Sequence, residues 1–178
     1  MEVTQVVTGF LEANCYVIKK DDKALVVDPG DDYHLIKEAI GDTKVAAVLI
    51  THSHSDHVGA LRNFLTTKSM KIFKFSNTEE GKVYGIDGFS FEVIFAPGHS
   101  KDSIIFYFKE SKEMFVGDFI FKDSIGRCDL PGGSEHEMFK SLSMIKHYPD
   151  DITVYPGHRE ISSLGREKEY NPFFQMEK

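Results

Sequence analysis

A chain of 178 residues and 20.2 kDa, 41% apolar and 28% charged, has the size and composition of one soluble globular domain spanning 1–178 with a single sizeable core. Its 28 acidic residues outnumber 21 basic ones, and the formal charge of -7 argues against nucleic acid as a partner. No membrane association is expected, because the longest apolar run, Val45 to Ile50, is far short of the roughly 20 residues a spanning helix needs. The Met1-Glu2-Val3 start has no signal-peptide pattern, and the two cysteines, Cys15 and Cys128, have no CxxC spacing, so a reducing cytoplasm is the expected location.

In chain order, β-branched apolar runs at Val3–Val7, Cys15–Ile18, Ala24–Val27 and Val45–Ile50 predict strands, each bounded by turn residues. His34–Ile40 has helical spacing and ends on Gly41. After Ile50 comes a histidine-rich segment, then a helical stripe of Val58, Ala60, Leu61, Phe64 and Leu65, which puts the histidines on a strand-to-helix loop. The second half predicts strands at Lys71–Phe75, Phe89–Ala96, Ile104–Phe108, Met114–Val116 and Ile152–Tyr155. Ser134 with Glu137 is a capping-box signature ahead of Met138, Leu142 and Ile145, and Pro172 interrupts any helix in the tail. Tyr107, Tyr148 and the fifteen phenylalanines read as core.

The chemistry concentrates in Thr51-His52-Ser53-His54-Ser55-Asp56-His57-Val58-Gly59, where three imidazoles and a carboxylate fall within six positions after a buried-looking strand. Burying such groups without partners costs several kcal/mol, and a divalent metal satisfies neutral imidazole and carboxylate together. A short histidine-rich tract also arises by accident or as a nonspecific metal trap. Three further strand ends count against that: Ala96-Pro97-Gly98-His99, Val116-Gly117-Asp118 and Tyr155-Pro156-Gly157-His158 each place a metal-competent residue in a turn, and strand-end loops are where layered α/β proteins build sites.

With its HxHxDH segment followed by separated His, Asp and His, the sequence resembles the metallo-β-lactamase fold superfamily. The resemblance covers nearly the whole chain. It implies an α/β (α+β) fold, a four-layer αββα sandwich of two mixed β-sheets packed face to face with helices outside. It also implies two divalent metal ions, zinc by default with iron or manganese as options, one held by His52, His54 and His99 and the other by Asp56, His57 and His158, with Asp118 bridging. Gly117-Asp118-Phe119-Ile120-Phe121, the Ile125–Gly133 segment, Ser162–Glu167 and Asn171-Pro172-Phe173 resemble short bacterial hydrolases related to glyoxalase II (hydroxyacylglutathione hydrolase). The implied reaction is thioester hydrolysis of a small-molecule substrate, in which a hydroxide bridging the metals attacks the carbonyl and Asp56 is catalytic. Only twenty residues follow His158, so the C-terminal helical domain with which glyoxalase II grips glutathione is expected to be missing. Lys101-Asp102 replace the family's usual Pro-Gly, and Asp118 stands where some β-lactamases carry cysteine.

Two lesser residues belong to this reading. Asp28, in Val27-Asp28-Pro29-Gly30, either orients a ligand histidine or caps a turn. Arg127 either meets an anionic substrate group or pairs with Asp129. Cys128 has no base spaced to activate it, and His34, His136 and His147 match no motif position. Two rival functions remain at this point: a persulfide dioxygenase with a single iron, whose Gly-Arg-x-Asp segment is similar to Gly126–Asp129, and a non-catalytic zinc-binding protein. Structural zinc sites are normally closed by four protein ligands, whereas seven donors around two ions leave room for water. An RNA-processing role is disfavoured by the acidic balance. Oligomeric state is not legible.

Overall fold

Several central strands are apolar on consecutive residues because both of their faces are covered, and alternate side chains go to opposite faces. A computed structural model describes residues 1–65 and 70–176. The first sheet contains β1 (Glu2–Thr8), β2 (Ala13–Lys20), β3 (Lys23–Val27), β4 (Lys44–Leu49) and β5 (Lys71–Phe73), in that spatial order. The first three are antiparallel and the last three parallel, so the sheet is mixed. Between β3 and β4 lies helix α1 (Tyr33–Ile40), and β4 is followed by a one-turn helix, α2 (Ser55–Val58), and a 3-10 turn, Leu61–Phe64.

The second half adds β6 (Val83–Ile86), β7 (Phe89–Phe95), β8 (Ile104–Phe108), β9 (Glu113–Gly117), a small hairpin of β10 (Ile120–Phe121) and β11 (Ser124–Ile125), helix α3 (Glu135–Ile145), β12 (Thr153–Pro156) and β13 (Ser162–Ser163). The second sheet has the order β13-β12-β9-β8-β7-β6, with β9 and β12 parallel and the other pairs antiparallel. The chain closes with α4 (Leu164–Tyr170) and α5 (Pro172–Gln175).

Three apolar layers result. Tyr16, Ile18, Leu25, Val27 and Leu49 of the first sheet pack on Phe91, Val93, Phe106, Phe108 and Phe115 of the second. Their alternates Cys15, Val17, Val26 and Val48 cover Ile36 and Ile40 of α1 together with Phe64. On the far side, Ile94, Ile105, Met114, Val116 and Val154 cover Met138, Leu142 and Ile145 of α3, with Leu164 and Phe174 from the tail. Helix, sheet, sheet, helix is the expected four-layer sandwich. Each large side chain taken fully out of water contributes about 1.5–3 kcal/mol, and Phe91, Phe106, Phe108 and Phe115 between the sheets are all buried to that degree.

Local differences from the sequence reading have physical causes. The predicted stripe from Val58 to Leu65 is two short pieces rather than one helix, because the Ala60 amide turns back to the carbonyls of Pro29 and Gly30. The strand predicted to reach Phe75 ends at Phe73, and Phe75–Asn77 forms a 3-10 turn in which Asn77 Oδ1 accepts from the Lys74 amide at 2.9 Å. The β12 strand begins one residue after Ile152. Phe10 is not core: at the tip of the β1–β2 turn it is 99% exposed. Ser134 caps α3, its Oγ accepting from the Glu137 amide at 3.3 Å, but the predicted capping box is only half made, because the Ser134 amide donates to the Gly98 carbonyl at 2.8 Å and the Glu137 carboxylate accepts from Lys140. Pro172 starts α5, where a missing N–H costs nothing.

Candidate metal centre

All seven residues singled out as metal ligands lie just past the carboxyl end of a strand, and the sandwich brings those ends to one edge. His52 and His54 follow β4, with Asp56 and His57 in α2 one turn later; His99 follows β7, Asp118 follows β9 and His158 follows β12. The approach is close. Gly117 turns the chain with φ 53, and a Cβ there would sit 2.3 Å from Thr51 Oγ1. At Gly157 a Cβ would come within 2.1 Å of Asp118 Oδ1 and 2.7 Å of His57 Cε1, so only glycine lets β12 deliver His158 beside the other ligands.

The imidazoles are oriented by what their outer nitrogens touch. Thr51 Oγ1 donates to Asp28 Oδ2 at 2.5 Å and accepts from His52 Nδ1 at 3.0 Å. His57 Nδ1 donates to Asp28 Oδ2 at 3.0 Å, His99 Nδ1 to the Arg127 carbonyl at 2.8 Å, and His158 Nδ1 to the Glu12 carbonyl at 3.3 Å. Four rings therefore face an acceptor with Nδ1 on the outside and point Nε2 inward as the nitrogen left to ligate, the arrangement that tunes metal-binding histidines. His54 instead turns Nδ1 inward, 2.9 Å from His99 Nε2.

Inside, two sets of three donors form: His52, His54 and His99, and Asp56, His57 and His158, the candidate ligand atoms of each set lying within 4.8 Å of one another. Asp118 stands between them, with Oδ1 3.4 Å from His57 Nε2 and Oδ2 3.5 Å from the Nε2 atoms of both His99 and His158. Asp56 Oδ2 is 3.3 Å from His158 Nε2 and 3.6 Å from His57 Nε2. Buried polar atoms are normally paired, yet His52 Nε2, His57 Nε2 and Asp118 Oδ1 have no hydrogen-bond partner. Three orphaned, buried, lone-pair donors aimed at common points fit divalent cations in both sets. Asp28 falls within ligand distance of His52 and His57, but its oxygens already accept from the Thr51 amide at 2.8 Å, the Thr51 hydroxyl and His57, so it is positioned to orient rather than to ligate.

The electrostatics agree with crowding of opposite charges. Burial opposes a charge on His57, but the carboxylates of Asp118 and Asp28 outweigh it and push the imidazole up to about 10. Burial would raise Asp118, yet His57 holds it well below the usual carboxylate range. Asp56 is held down at about 2, chiefly by its hydrogen bond to His158. His52 is driven well below the usual imidazole range by burial and then by the charge of His57, and His99 is lowered mainly by burial.

The site opens into a cleft of ≈ 560 Å³ walled by Leu11, Phe121, Ile125 and Leu130, with Arg127 and Arg159 at its rim. Arg127 contributes its carbonyl to His99, while its side chain, largely exposed, is committed to a bidentate pair with Asp129 at 2.7 and 2.7 Å. Cys128 is half-buried, its thiol pushed up by burial and the charge of Glu135, and its Sγ donates to the Gly126 carbonyl at 3.5 Å. His34, His136 and His147 are exposed and away from the site. Among the described residues, no helix is long and apolar enough to cross a membrane.

The sequence profile of the metallo-beta-lactamase superfamily matches residues 8–80 and 71–158. The chain belongs to this superfamily. Hydroxyacylglutathione hydrolase GloC of Haemophilus influenzae is 31% identical to it, over 94% of this chain and 94% of that protein. Among solved structures, BLEG-1, a B3 metallo-beta-lactamase, superposes with a TM-score of 0.89 at 28% identity, covering 98% of this chain and 100% of its own. TTHA1623 in a di-iron-bound form gives 0.84 at 29% identity, covering 96% and 99%. ETHE1 from Myxococcus xanthus gives 0.83 at 27% identity, covering 97% and 84%. The sheet order and outer helices described above are thus those of a metallo-β-lactamase superfamily protein, an enzyme-like fold of metallo-hydrolases. Sequence reasoning missed the outward acceptors. Thr51 was legible beside His52, but the Glu12 and Arg127 carbonyls carry no side-chain signal.

Proposed function

We propose that the chain is a metal-dependent hydrolase acting on a small-molecule thioester. The observation that carries this reading is the paired donor set: His52, His54 and His99 would hold one divalent cation and Asp56, His57 and His158 a second, with Asp118 placed beside both sets. Seven donors shared between two cations are one fewer than two closed four-ligand sites would use, which leaves room for water or substrate between the cations. When bound, two such cations supply a nucleophile from water at neutral pH and polarise the carbonyl under attack. Zinc is the default metal, and mixed imidazole and carboxylate donors also accept iron or manganese; the di-iron form of TTHA1623 is in keeping with that breadth.

The chain's own groups divide the remaining work. Asp56, ionised at neutral pH and 21% exposed at its side chain, accepts a hydrogen bond from the attacking water and orients it. Asp28 takes the Nδ1 proton of His57, so that the nitrogen left to ligate is the inward Nε2. Leu11, Phe121, Ile125 and Leu130 offer the substrate an apolar wall beside the donor set. A thiolate leaves with little acid help, since thiols ionise near pH 8.5. The similarity to GloC, a hydroxyacylglutathione hydrolase by name, supports a thioester, and the resemblance of Gly126–Asp129 to the Gly-Arg-x-Asp segment of persulfide dioxygenases keeps an iron-dependent, oxygen-using activity as the second reading. Loss of S-lactoylglutathione under anaerobic conditions, with zinc-loaded wild type and Asp56→Asn in parallel, tests the proposal. Oxygen-independent turnover that collapses in the variant is expected. Absence of turnover, with oxygen uptake by an iron-loaded protein given a persulfide, overturns it.

A further inference from the structure

Arg159 follows the last candidate ligand, His158, and its backbone is held at φ 68, a left-handed conformation that is strained for a non-glycine residue. Among the described residues the other non-glycine positions of this kind are aspartates, which tolerate it, or Glu12 and Lys112 in hairpin turns. What keeps Arg159 there is a clamp on its carbonyl, which accepts from Asn14 Nδ2 at 2.9 Å and Gln5 Nε2 at 3.4 Å. The result is a guanidinium set over the face of Phe121, 5.7 Å from the ring centroid, on the wall of the catalytic cleft. Its cleft neighbour Arg127 is neutralised by Asp129 and the distant Arg166 by Asp123 and Glu167, whereas among the described residues Arg159 has no ion-pair partner. A strained backbone thus presents a solvent-facing, uncompensated cation beside the reaction site of an acidic protein.

We propose that Arg159 is a specificity-determining residue that pairs with a carboxylate on the substrate, the apolar wall of Leu11, Phe121 and Leu130 taking the segment between that carboxylate and the thioester. The inference rests on the thioester reading above and narrows it to anionic thioesters. The planar five-donor guanidinium fits a carboxylate in two-point contact. The carboxylate belongs either to the thiol half or to the acyl half.

Three substrates separate these sources: S-lactoyl-3-mercaptopropionate, charged on the thiol half; S-succinyl-2-mercaptoethanol, charged on the acyl half; and neutral S-lactoyl-2-mercaptoethanol. With zinc-loaded wild type, one charged thioester is expected to exceed the neutral one about tenfold in kcat/KM, mainly through KM. Arg159→Gln should erase that ratio, Arg159→Lys should restore part of it, and added salt should shrink it. Equal rates for charged and neutral substrates in wild type, or an unchanged ratio in Arg159→Gln, overturn the assignment while leaving thioester hydrolysis standing. If no thioester is turned over, calorimetry with the inert thioether S-propyl-3-mercaptopropionate and its methyl ester decides: a preference for the acid lost in Arg159→Gln supports the anion subsite, and equal binding of the two ends it.

Discussion

Replacing Asp28 by Asn changes no shape and moves no ligand, yet it should weaken metal binding strongly. The carboxylate is 2% exposed and accepts three hydrogen bonds, from the Thr51 amide, the Thr51 hydroxyl and His57 Nδ1. An asparagine Oδ1 can still serve the Thr51 amide. The amide nitrogen then faces Thr51 Oγ1 and His57 Nδ1 as a donor, so His57 must accept at Nδ1 and carry its proton on Nε2, the atom aimed at the metal position. Loss of such an outer partner typically costs 10–100-fold in metal affinity, about 1.4–2.7 kcal/mol. The metal-free variant should also lose about 2–3 kcal/mol of stability with the charge-assisted bond to His57. Competition against a chromophoric zinc chelator measures the first quantity and urea unfolding of the metal-free protein the second. Zinc affinity within twofold of wild type would refute the tautomer argument and leave Asp28 as a turn residue.

Other outcomes follow from the same geometry. Asp56→Asn should retain the fold, by circular dichroism and thermal melting, while losing about 10²–10⁴-fold in turnover; near wild-type rates would remove Asp56 from the mechanism. Because His57 is pushed up to about 10, it is charged in the metal-free protein at pH 7.5 and must lose that proton to ligate. Zinc affinity should therefore rise with pH through this range, and titration calorimetry in buffers of different ionisation heat should show release of about one proton per chain; no release would contradict the ligand role of His57. In the tail, Glu167 is fully buried and accepts from the Asp123 amide at 2.8 Å, Asn171 Nδ2 at 2.9 Å, Arg166 Nη1 at 2.9 Å and the Ser162 hydroxyl. Glu167→Ala should cost about 3–5 kcal/mol in urea unfolding by orphaning those donors; a loss under 1 kcal/mol would show that the cluster is not holding the tail to the β10–β11 hairpin.

The architecture was legible where burial on both faces made strands apolar on every residue, as at Ala24–Val27 and Ile104–Phe108. The ligands were legible because imidazoles and carboxylates in strand-end turns have few structural uses. Val83–Ile86 escaped because Gly85 interrupts a run too short to show alternation. The one-turn break after Val58 escaped because its cause, the Ala60 amide turning to Pro29 and Gly30, joins segments far apart in sequence. Backbone acceptors set the tautomers of His99 and His158, and nothing in the residue types at Arg127 or Glu12 announces them. The Ser162–Glu167 and Asn171–Phe173 segments, read as family signatures, turn out to hold a buried polar cluster around Glu167. Phe10 read as core from its chemistry alone, and only the hairpin geometry places it at an exposed tip.

A two-cation hydrolase is tested by anaerobic thioester hydrolysis recorded while zinc is titrated into metal-free protein, with bound metal quantified at each point. Activity that climbs to a maximum at about two zinc ions per chain, with no requirement for oxygen, is the predicted result. Full activity at one metal, or activity that appears only with iron and oxygen, would contradict it.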